Sequence, residues 1–117
     1  MDYINILIAL LTIGFGGFGF LAPRYTASAV DLEPTTSTMG LSELRAGSGG
    51  LFVSLGLWAL LTGDAIAYFA IGIAYLGAGS GRALSILIDK PPLKKALTFL
   101  AFEWPPAAFL IWYNWPY

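Results

Sequence analysis

Arg45, Arg82 and Glu103 each fall inside a stretch that otherwise reads as a transmembrane helix. A charged side chain at mid-bilayer costs on the order of 3 kcal/mol on insertion scales, so a charge kept there pairs within the protein or lines a site. Together with Glu43 these residues supply two cations and two anions. Guanidinium and carboxylate can bond bidentately, which is the best way to hold both charges in low dielectric. At about 1.5 Å of rise per residue, Arg45 lies roughly 6 Å beyond Leu41, Arg82 about 10 Å before Asp89, and Glu103 about 12 Å beyond Lys95. The spacing therefore predicts one polar layer, with Glu43 nearer the surface and on a different flank of its helix from Arg45. Ser48, Ser80 and Ser85 add hydroxyls at similar depth. Two readings stay open. The cluster fixes helix geometry, or it lines a pocket for a quinone or lipid head group, with the arginines holding an anion or carbonyl and Glu103 accepting a proton.

Composition removes most other chemistry. The chain contains neither cysteine nor histidine, which excludes thiol catalysis, His-based proton shuttling, His-ligated haem and the usual zinc or copper ligands. No nucleophile–base pair is evident, so no catalytic residue, metal or cofactor is assigned. A net charge of −1 without a basic, aromatic-laced patch argues against nucleic acid as a partner.

The elements that position the charges follow from hydropathy. The 117 residues are 57% hydrophobic and only 11% charged, with mean hydropathy +0.73. Soluble domains carry roughly 25% charged residues, so polar surface is too scarce to coat a water-soluble globule. Four apolar runs, at 3–22, 41–62, 65–88 and 96–113, are each long enough to cross or nearly cross a hydrocarbon core of about 30 Å. The expected fold is all-α, a single four-helix transmembrane domain. Asp2 and the length of the first run mark it as a retained helix rather than a signal peptide, despite the Ala27-Ser28-Ala29 sequence. Between the first two runs, a polar stretch over 24–40 with Asp31, Glu33 and Pro34 reads either as a functional loop or as a solvated link carrying a short interfacial helix. Gly63-Asp64 predicts a tight turn. Arg24, Lys90, Lys94 and Lys95 share one side of this topology, and the positive-inside rule makes that side cytoplasmic and both termini non-cytoplasmic. Tyr3, Trp58, Tyr68, Trp112, Tyr113, Trp115 and Tyr117 gather toward the other face, as an interface belt does.

Small residues and prolines add detail. Ala46-Gly47-Ser48-Gly49 recurs as Ala78-Gly79-Ser80-Gly81. Gly47, Gly49, Gly50, Gly77 and Gly81 are assigned to close helix packing, with Gly77 and Gly81 forming a GxxxG step beside Ala70, Ala74 and Ala78. A phosphate-cradling loop is excluded by the apolar context and the missing lysine. Pro105-Pro106 predicts a kink in the fourth helix beside Glu103.

Glu43-Leu44-Arg45-Ala46 followed by Gly49-Gly50, then Gly81-Arg82, then Glu103, resembles the small bacterial four-helix membrane family of domain of unknown function 4345, within the DoxX-like group. The resemblance spans nearly the whole chain, and Arg45, Gly49, Gly50, Arg82 and Glu103 match its motifs. It implies a bacterial inner-membrane protein associated with quinone-linked oxidation, membrane redox complexes or chaperoning of other membrane proteins. No redox residue comes with it. The expected partners are membrane lipid and another membrane protein or a second copy of the chain, with a quinone as the alternative ligand.

Overall fold

The computed structural model describes residues 2–33 and 35–117 and is all-α, as hydropathy predicts. Pro34, counted in the polar link, lies outside the described residues. In chain order the helices are α1 (Asp2–Leu21), α2 (Pro23–Ala29), α3 (Met39–Thr62), α4 (Ala65–Ile88), α5 (Leu93–Ala101) and α6 (Trp104–Tyr113). Three of them, α1, α3 and α4, are long and apolar enough to cross a membrane. Their outer faces carry exposed Leu7, Leu10, Phe15, Leu61, Leu84 and Leu87, far more apolar surface than a soluble monomer tolerates.

The chain divides into two compact units, one ending at Gly63 and the other spanning Asp64–Tyr117. In the first, α1 buries Asn5, Ala9, Thr12, Gly16 and Gly19. Their spacing of three and four residues places them on one helical face. All are small, so α3 can run antiparallel against that face at close range. Gly56 lies against Ala9 and Ile13, and Gly49 against Gly16 and Gly19. Thr12 keeps its hydroxyl satisfied inside the contact by donating to the Ile8 carbonyl at 2.7 Å.

The polar link contains a helix. Pro23 starts α2, because a missing N–H removes no bond from a first turn. Asp31, with φ 62°, then turns the chain away. In α3 the segment Leu44–Leu51 widens into a π-helix, a rare form that recurs at functional sites. Its sequence, Leu-Arg-Ala-Gly-Ser-Gly-Gly-Leu, is glycine-rich enough to lower the cost of an irregular turn. α3 ends on Gly63 at φ 64°, the left-handed cap that glycine takes without a Cβ clash. Asp64 opens α4 by accepting from the Ile66 N–H at 3.0 Å.

In the second unit α6 packs antiparallel on α4, with Gly72 against Leu110 and Ile111 and Gly79 against Trp104. Near the start of α4, Phe69 meets Trp115 at 5.7 Å and Tyr117 at 6.2 Å between ring centroids, both edge-on. That aromatic cluster lies about 20 Å along the helix from Arg82.

Candidate functional site

Arg82 and Glu103 meet. Arg82 Nε donates to Glu103 Oε1 at 2.6 Å and Nη2 to Oε2 at 3.2 Å, so both carboxylate oxygens are engaged. The side chains are 33% and 14% exposed, respectively. The Phe99 ring of α5 lies 5.2 Å from the guanidinium carbon, within cation–π range. One arginine of α4 thus ties α5 to the start of α6.

Glu103 stands at a break that the prolines force. The expected single helix over 96–113 starts earlier, at Leu93, and is interrupted at Phe102–Glu103 rather than bent at Pro105-Pro106. Each proline ring clashes with the carbonyl four residues before it, here Ala101 and Phe102, so the disruption falls upstream of the prolines themselves. The Phe102 and Glu103 N–H groups close tighter turns onto Phe99 and Leu100, both at 3.0 Å. α6 then resumes with the prolines in its first turn, where they are tolerated.

The same prolines release the carboxylate. A side chain at the N-cap accepts from the second or third N–H of its helix. Those positions are Pro105 and Pro106, which have none. Glu103 makes no capping bond and pairs with Arg82 instead. Gly79, one turn before Arg82, completes the fit: a Cβ there would stand 2.6 Å from Trp104 Nε1, so the indole lies directly on the glycine.

Arg45 and Glu43 belong to the first unit. Arg45 Nη1 donates to the Phe20 carbonyl at 2.7 Å, at the C-terminal end of α1, where carbonyls lack helical partners. Glu43 is exposed. Gly49 sits on the Gly19–Phe20 backbone, and Gly50 lies beside the Phe20 ring and the Arg45 carbonyl. At Gly47, Gly77 and Gly81 a Cβ would meet nothing within 4 Å. The contact face of α4 instead runs through Gly72 and Gly79, seven residues apart, and Gly77 and Gly81 fall off that register. Gly81→Ala should therefore change stability by no more than about 1 kcal/mol, the scale of helix propensity alone. Thermal unfolding of the detergent-solubilised protein followed by circular dichroism measures this, and a larger loss shows that Gly81 is packed.

Sequence reasoning missed Gly72, Gly79 and Trp104 as the parts that position Glu103. The seven-residue glycine spacing, with Arg82 three residues further on, was the available signal. Among the described residues no group of three or more acidic side chains is placed to hold a metal ion.

A family model described as a domain of unknown function, DUF4345, matches residues 2–114. No curated protein and no solved structure matches the chain.

Proposed function

We propose that this chain, which belongs to the DUF4345 family, is a multi-pass bacterial inner-membrane protein that assembles with another membrane protein and catalyses no reaction itself. In this reading α1, α3 and α4 each span the membrane, and α5 and α6 together make the fourth crossing, bent at the break before Glu103. Both termini face away from the cytoplasm. The observation that carries the proposal is the closed Arg82–Glu103 pair. Both carboxylate oxygens are bonded to the arginine, which suits a group that holds helices together better than one that turns over substrate. Gly77 and Gly81 leave a flat stretch on α4, and small residues in lipid let a second helix approach closely.

Extraction in mild detergent followed by native mass spectrometry tests the proposal. A stable complex, either hetero-oligomeric or a dimer of the chain, is expected. Gly81→Leu should dissociate it while leaving the protein folded. A monodisperse, partner-free monomer overturns the reading.

A second reading takes Arg82 and Glu103 of the second unit as holding a quinone or lipid head group, and binding there must first break their two hydrogen bonds.

A further inference from the structure

Where α1 gives way to α2, the first unit contains an open hollow of about 560 Å³ lined by Arg24, Tyr25, Thr38, Leu41, Ser42 and Arg45, among others. Its charge is one-sided. Two guanidinium groups line it and no carboxylate does. Asp31 and Glu33 line a neighbouring hollow of about 410 Å³ that shares Arg24. The Arg24 guanidinium makes no hydrogen bond or ion pair among the described residues. Arg45 spends one N–H on the Phe20 carbonyl, which fixes its position and leaves its other donors available. The Thr38 and Ser42 hydroxyls make no hydrogen bond among the described residues and add two donors.

We propose that this hollow binds a phosphate-bearing anion, the head group of an anionic phospholipid whose tails lie along α1. Guanidinium groups match phosphate geometry through paired N–H donors, and hydroxyls complete the coordination. The hollow opens at the end of an apolar helix, where lipid phosphates lie and where basic residues attract them. Leu21, 74% exposed, and Tyr25, 66% exposed, supply an apolar rim beside the cations. Free phosphate offers the same oxygens without using that rim. The site is independent of the Arg82–Glu103 pair and of the assembly role proposed above, so either can fail without the other.

The full chain is reconstituted in nanodiscs containing phosphatidylglycerol and phosphatidylcholine, then released and weighed by native mass spectrometry. Retention of phosphatidylglycerol over phosphatidylcholine is expected. Arg24→Gln should reduce that retention about tenfold, as loss of a charge-assisted hydrogen bond does. Ser42→Ala should reduce it less, and Lys90→Gln, a control cation, should leave it unchanged. A second arm follows the phosphorus resonance of inorganic phosphate with the protein in phosphatidylcholine discs. Broadening that Arg24→Gln abolishes identifies free phosphate as a source of the anion. The proposal is overturned if Arg24→Gln changes neither readout, or if Lys90→Gln weakens retention as much as Arg24→Gln does. Far-ultraviolet circular dichroism of each variant establishes that it is folded.

Discussion

Arg82→Leu is expected to lower the unfolding free energy by about 3–5 kcal/mol, the cost of stranding one member of a buried ion pair. The loss has two parts. Glu103 loses both donors, and the guanidinium leaves the Phe99 ring. Partial exposure does not rescue the carboxylate if the unit stands in a membrane, because the exposed fraction then faces lipid rather than water. Water reaching the site through detergent would move the effect toward the lower figure. Glu103→Leu should cost a similar amount for the mirrored reason. The decisive variant is the double one. Replacing both partners by leucine removes the unpaired charge and restores apolar packing, so it should recover most of either single loss. Arg82→Lys should fall between wild type and Arg82→Leu, because one ammonium cannot reproduce the two-point contact. Titration with sodium dodecyl sulfate, followed by circular dichroism, measures all four. Additive losses in the double variant would show that the residues act through separate contacts.

This experiment also separates the two roles open to the pair. If the pair only holds helices together, the stable double-leucine protein should still assemble with its partner. Loss of assembly in a protein of near-native stability would move Arg82 and Glu103 from scaffold to recognition.

How much of this was legible in the sequence depended on range. The all-α class and the spans of α1, α3 and α4 followed from hydropathy within a few residues, because helix formation in apolar surroundings is a local demand of the backbone. The Gly63 cap and the Asp64 start followed from short-range turn chemistry. The fourth apolar run did not follow cleanly. Proline disrupts the turn before it, so the signal at Pro105-Pro106 marked a break centred on Phe102–Glu103. The candidate charges were legible as residue types. Which groups pair depends on helix rotation, and rotation is set by packing. Arg82 reaches Glu103 because Gly79 admits Trp104, a contact between residues 25 positions apart. The near-repeat shows the same limit. Its two copies are identical in sequence, yet the packed glycine is the last in the first copy, Gly49, and the second residue in the other, Gly79.

That asymmetry carries the other large expected effect. Gly49→Ala should destabilise the protein by about 2 kcal/mol, and Gly47→Ala should not. A Cβ at Gly49 would stand 2.5 Å from the Phe20 nitrogen, 2.7 Å from its Cα and 2.9 Å from the Gly19 carbonyl carbon. All three are backbone atoms, so no rotamer change relieves the clash and α1 must move away from α3. Separation would loosen the contacts of Gly16 with Val53 and of Gly19 with Ser48, and lengthen the Arg45–Phe20 bond. Overpacking costs typically 1–3 kcal/mol, and a backbone obstacle belongs at the upper end. Alanine's better helix propensity offsets at most about 1 kcal/mol of this, which leaves the net loss stated. At Gly47 nothing lies within 4 Å, so only the propensity term survives. Gly79→Ala should fall between them, because its obstacle is the Trp104 side chain, which can turn aside. The three variants, compared by the same unfolding assay, rank by whether the obstacle is backbone, side chain or empty space. Equal losses at Gly49 and Gly47 would mean that α1 and α3 are not held at glycine-to-backbone distance.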